Sequence, residues 1–185
     1  MTMRTTDLAG VLAAILLVSP VAAEAETHVV KLSPPGTQVT FTSYALGLIP
    51  LAGHFNQFNG ELKADPANPD ACTVSLDVQV ASLSMQDPAR VRQALGPSMM
   101  DAAGFPHFSY SGSCAGGQAA GSLTMHGVTQ NVTLTTERDG NTVKAIGSLR
   151  RADFGINGMP GLVGRTIRIG FQVVLPPDLA QMASH

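Results

Sequence analysis

The residues best suited to metal or redox chemistry are His28, His54, His107, His126 and His185, together with Cys72 and Cys114. No two histidines stand at the spacing that would place them with a carboxylate around one ion, so a zinc-type ligand set is not expected. The cysteines form no Cys-x-x-Cys pair. An activated serine would need a Gly-x-Ser-x-Gly turn or a similar setting, and none is found. The run Gly158-Met159-Pro160-Gly161-Leu162-Val163-Gly164-Arg165-Thr166 is superficially similar to a phosphate loop. Its glycine spacing is wrong, Arg165 stands where lysine is needed, and a strand follows where a helix is required. It reads as a glycine-rich loop before the last strand. No catalytic or metal residues are expected, and the chain is read as a non-enzyme.

The elements that surround these residues explain why chemistry is sparse. A short start with Arg4 leads into the apolar stretch Leu8 to Val18, followed by Ser19-Pro20-Val21-Ala22-Ala23. This is the anatomy of a secretory signal peptide, assigned to residues 1–23, with Ala25 as an alternative cleavage site. The stretch is shorter than the ~20 residues that cross a bilayer as a helix. Residues 24–185 are expected to form one periplasmic domain, long enough for a real core. A formal net charge of −2 with 13% charged residues supplies no electrostatic footprint for nucleic acid, which is excluded as a partner.

Period-two alternation runs through the mature chain. Val39 and Phe41 alternate with Gln38, Thr40 and Thr42, and Val74, Leu76, Val78 and Val80 with Ser75, Asp77 and Gln79. Ile167, Ile169, Phe171, Val173 and Leu175 alternate with Thr166, Arg168 and Gln172. Such spacing predicts strands with one buried face. Turn chemistry separates them at Asp65-Pro66 through Pro69-Asp70, at Gly116-Gly117 and at Asp139-Gly140. Residues 87–103 break the pattern: Asp87 can cap a turn begun by Pro88, with Val91 and Leu95 at helical spacing and Pro97 ending it. The chain therefore reads as all-β, about eight antiparallel strands with one short helical insertion. Long strands without an internal repeat favour a closed barrel, because closure removes the sheet edges.

Antiparallel pairing of Cys72–Val80 with His107–Cys114 across the insertion brings Cys72 close to Cys114, on the apolar faces of both strands. A disulfide is expected, and an exported protein would keep it. The inward positions mix small residues, such as Gly112, Ala120, Ala145 and Gly147, with large ones such as Phe41, Phe55 and Phe58. Small barrels either fill their interior or hold one ligand, and this mixture leaves both open.

At this point the residues show a family likeness. Val39-x-Phe41, then Gly53-x-Phe55-x-x-Phe58-x-Gly60-x-Leu62, then Asp101 with Phe105-Pro106-x-Phe108 resembles the YceI-like family of exported proteins. Gly121 to Val132 resembles that family's most diagnostic strand-turn-strand, and Arg151-Ala152-Asp153-Phe154-Gly155-Ile156 with Gly161-Leu162-Val163-Gly164 completes the match from about His28 to Leu175. The resemblance implies a lipocalin-like barrel enclosing a polyisoprenoid or an isoprenoid quinone. Carried over by position, Val39, Phe41, Phe55, Phe58, Phe108 and Leu123 would line the tunnel and hold the ligand by burial alone. The implied function is a periplasmic carrier of an isoprenoid lipid or quinone. The alternative is a filled structural barrel, a stress-related module or a partner of a membrane-bound electron-transfer protein. Two family features are missing: the usual Asp-x-x-His-Ser stretch is replaced by Leu32 to Thr37, and Ala45 stands where a histidine is common.

Overall fold

Alternating apolar residues become eleven strand segments in the computed structural model, which describes residues 27–65 and 68–177. The signal peptide expected over residues 1–23 lies outside the described residues. The segments are β1 (His28–Leu32), β2 (Thr37–Ala45), β3 (Ile49–Phe55), β4 (Phe58–Asp65), β5 (Asn68–Gln79), β6 (Leu83–Met85), β7 (His107–Ala115), β8 (Gln118–Met125), β9 (Val128–Asp139), β10 (Thr142–Arg150) and β11 (Thr166–Val174). One helix, α1 (Pro88–Leu95), lies between β6 and β7.

Three pairs of segments are single strands bent in the middle, which reconciles eleven segments with the eight strands expected. β2 pairs with β3 through Val39↔Phe55, and β1 pairs with β4 through Val30↔Leu62. β3 pairs with β6 through Phe55↔Leu83, and β4 pairs with β5 through Phe58↔Val78. The first bend contains Pro34 and Pro35, which have no N–H to give to a ladder. The other two are tied to each other: Asn56 N–H donates to Ser82 O at 3.1 Å, and Gln79 N–H to Gln57 O at 3.0 Å. Ser82 Oγ donates to Gln79 O at 2.7 Å and fixes the 3-10 turn Val80–Ser82.

From β5 the ladder passes through β7, β8, β9, β10 and β11 in chain order. β11 then pairs with β2, from Arg168↔Thr42 to Val173↔Thr37. Because β6 continues from β5, this completes a circuit of eight antiparallel runs, an up-and-down barrel. Cys72 lies directly opposite Cys114 and is joined to it by a disulfide, with Cα atoms 4.8 Å apart.

Inward positions follow the predicted parity on β2, β5, β7 and β11. One residue was placed on the wrong face: Ala120 is exposed and Ala119 is buried. The reason is that Gly116-Gly117 form the turn, both with positive φ, so Gln118 starts the strand facing outward and Ala119 faces in. The helical insertion forms as read. Asp87 accepts a hydrogen bond from Ala89 N–H at 2.8 Å, Pro88 opens the helix, and Gly96 rather than Pro97 caps its end.

Candidate functional site

Along the barrel axis the interior changes character. At the end of the β4–β5, β7–β8 and β9–β10 turns, inward residues such as Leu32, Phe58, Leu76, Tyr110, Ala119 and Leu134 pack into a solid core. Tyr110 is buried and donates its hydroxyl to Ala119 O at 2.9 Å; burial raises its pKa above the ordinary 10.0. Phe108, two residues nearer the other end, stands above it, edge-on to Phe55 with centroids 5.1 Å apart. These rings form a floor, and above them the barrel is hollow.

The cavity has a volume of about 340 Å³, within the range of sites that hold small molecules. Its walls are Val39 and Phe41 from β2, Leu51 and Phe55 from β3, Met85, Phe108, Leu123, Met125 and Leu149, and Ile167, Ile169 and Phe171 from β11. The insertion roofs it with Arg90, Gln93 and Ala94 from α1 and with Met99 and Met100. The loop after β10 closes the remaining side with Arg151, Ile156, Met159, Leu162 and Val163. Unbranched methionines are suited to such a wall because they adapt to irregular shapes.

Five of the six residues expected in a tunnel, Val39, Phe41, Phe55, Phe108 and Leu123, line this cavity. Phe58 does not; it is buried in the solid half, opposite Val78. Of the two departures from the family pattern, Ala45 lies in the cavity wall, whereas Leu32 to Thr37 form the first strand bend and contribute nothing to the lining.

Arg151 was not singled out by its sequence position and is the main polar feature of the lining. It is 5% exposed, and its guanidinium is spent on main-chain carbonyls. Nε donates to Gly164 O at 3.0 Å, Nη1 to Ile156 O at 3.0 Å and Gly158 O at 2.6 Å, and Nη2 to Val163 O at 3.2 Å. The glycine-rich run 158–164 is thus folded around an arginine fork. A planar five-donor group serves this role where lysine would not. Among the described residues no carboxylate pairs with it, and its charge is balanced by carbonyl dipoles inside a largely apolar wall.

The histidines are dispersed. His107 Nδ1 lies 2.7 Å from Asp77 Oδ1 on the outer face, while His126 Nδ1 lies 3.2 Å from Phe154 O, its ring against Phe105. Among the described residues no group of three or more His, Cys, Asp or Glu is placed to hold a metal. No helix among them is long and apolar enough to cross a membrane.

The comparisons agree with this architecture. Residues 31–175 match the model of the YceI-like domain. A UPF0312 protein of Vibrio cholerae is 29% identical over 141 residues, covering 73% of this chain and 74% of the relative. One of Pseudomonas putida is 30% identical over 144 residues, covering 69% and 74%. Among solved structures, Burkholderia cenocepacia BcnA superposes with a TM-score of 0.64 at 24% identity, over 76% of this chain and 96% of that one. A polyisoprenoid binding domain from Saccharophagus degradans gives 0.57 at 13% identity, over 80% and 100%. At these identities the structural likenesses speak for the fold alone. With the family model spanning most of the sequence, the chain belongs to the YceI-like domain family.

Proposed function

We propose that this protein binds the tail of an isoprenoid lipid or isoprenoid quinone in the hollow half of its barrel and carries it in the periplasm. The observation that carries the reading is the apolar cavity of about 340 Å³ above the Phe55–Phe108 floor. At the roughly 30 Å³ that a small solvent-sized unit occupies, it admits on the order of 11 such units, or about two isoprene units of a tail. Each methylene taken from water contributes about 0.8 kcal/mol, so the walls need no special polar group. Arg90 and Gln93 in the roof offer donors to an oxygen-bearing head group. A fold neighbour described as a polyisoprenoid binding domain supports the ligand class, and the leader read from residues 1–23 supports export. A filled structural barrel would leave no such cavity.

The test is native mass spectrometry of protein purified under mild conditions, with and without added geranylgeraniol or a short-tailed ubiquinone. Stoichiometric added mass is expected. An apo mass that gains nothing from either compound would sink the carrier reading.

A further inference from the structure

The cavity mouth carries apolar side chains that none of the described residues covers. The β2–β3 connection, residues 46–48, contains a turn whose central residues Leu46 and Gly47 have φ of 50° and 74°, closed by Leu48 N–H donating to Ala45 O at 3.1 Å. Asn or Gly fits such a turn without strain, whereas a leucine in the left-handed region is disfavoured. Here Leu46 is 61% exposed, Leu48 84% and Ile49 48%. Beside it stands the turn Met159-Pro160-Gly161-Leu162, tied on by Leu46 N–H donating to Leu162 O at 2.9 Å, with Leu162 51% exposed. Two convex tips therefore present one apolar crest.

Two further observations indicate what covers it. Leu46 and Leu162 also line the cavity, so the crest is continuous with the apolar interior. The four connections at this end of the barrel, residues 46–48, 86–106, 126–127 and 151–165, together with Arg150 at the end of β10, carry four exposed arginines (Arg90, Arg92, Arg150 and Arg165) against three aspartates (Asp87, Asp101 and Asp153), Arg90 being paired with Asp87 and Arg151 being buried. That is an excess of positive charge at one end of a chain whose net charge is −2. A protruding apolar tip with exposed arginines in the neighbouring connections matches a bilayer with anionic head groups, where leucine enters the acyl boundary and arginine stays at the phosphates.

We infer that the cavity mouth docks on an anionic lipid bilayer through Leu46, Leu48, Ile49 and Leu162, with the open end of the barrel facing the membrane. The surface does not depend on which ligand the cavity takes. The chain has no tryptophan, so single reporters are clean. Leu48→Trp in the full chain is expected to shift its emission to the blue on vesicles of phosphatidylcholine with phosphatidylglycerol, and to be quenched by brominated acyl chains. Vesicles of phosphatidylcholine alone should give a smaller effect, and adding Arg165→Glu should weaken binding several-fold. Val29→Trp, on β1 toward the other end and also exposed, should report no insertion. Unchanged emission from Leu48→Trp on both vesicles overturns the inference. So does an equal shift at both positions, which would place the contact nearer the N-terminus, or a dimer in sedimentation that Leu48→Asp dissolves.

Native mass spectrometry of Leu48→Asp keeps this inference distinct from the carrier reading, because Leu48 lines no part of the cavity. Vesicle binding lost with ligand uptake unchanged supports docking. Loss of both overturns it, since the substitution would then be acting through the barrel.

Discussion

Cys72 on β5 and Cys114 on β7 are direct cross-strand partners, and their bond spans 42 residues that include the bend into β6 and the whole helical insertion. Loop closure of that length removes about 4 kcal/mol of unfolded-chain entropy. The Cys72→Ala/Cys114→Ala protein is therefore expected to fold with stability lower by about that amount, read as a fall in urea midpoint with a steeper slope, because the uncrosslinked chain exposes more surface when it unfolds. Denatured but unreduced protein should titrate with no free thiol; two thiols per chain would contradict the bond.

Arg151 holds four carbonyls of one loop. Hydrogen bonds from a charged donor contribute roughly 1.5–3 kcal/mol each, and part of that is recovered from water when a surface loop loosens. Arg151→Met and Arg151→Lys should each cost about 2–4 kcal/mol. Amide exchange should accelerate across residues 156–164 while β5 and β7 stay protected. Full stability in the lysine variant would refute the fork argument.

Tyr110 gives the barrel an alkaline limit. Its pKa is raised by burial, so the folded state favours the protonated phenol. The stabilising contribution is complete below the unfolded-state value near 10.0 and is lost as pH rises through the higher folded-state value. Urea midpoints should be flat at neutral pH and fall above pH 10. Tyr110→Phe should lessen that fall, and an identical alkaline profile in both proteins would show that another group controls it.

The two halves of the interior should respond oppositely to added volume. Ile169→Trp projects into the hollow half and is expected to change stability by less than about 1.5 kcal/mol while lowering ligand uptake roughly tenfold. Leu134→Trp at the solid end, where Leu134 is 2% exposed, should overpack and cost about 1–3 kcal/mol. If the two variants unfold at the same urea concentration, the interior is uniform.

How much of this was legible in sequence depends on what alternation encodes. Period two tells which face a side chain occupies, and Val39, Phe41, Leu76 and Ile169 could be placed inward from it. It says nothing about height along the barrel axis. Phe58 and Phe55 look equivalent in sequence, yet one is in the solid end and the other on the cavity floor. Ile167, Ile169 and Phe171 were readable as a strand face and could have been named as lining once that strand was known to close the ring. The insertion's contribution was not readable, since Met99 and Met100 reach the cavity by tertiary packing. Arg151 was hidden for a different reason: its partners are main-chain carbonyls, which leave no mark in a residue pattern. Leu46 was hidden because the turn it occupies is one that its residue type does not advertise.

The pairing of β11 with β2 joins residues about 130 apart in the chain, whereas the other ladders connect runs that follow one another. Contacts between neighbours form early and cheaply, but a seam of this separation carries the largest closure entropy and forms late. For a polypeptide that emerges from its N-terminus, the penultimate stage is a curled trough with β2 and β10 as its two rims. Its apolar lining then lies open sideways along its whole length. If the ligand is a lipid as proposed, one lying in the trough at that moment would be enclosed when Thr166–Val174 arrives, without passing the mouth.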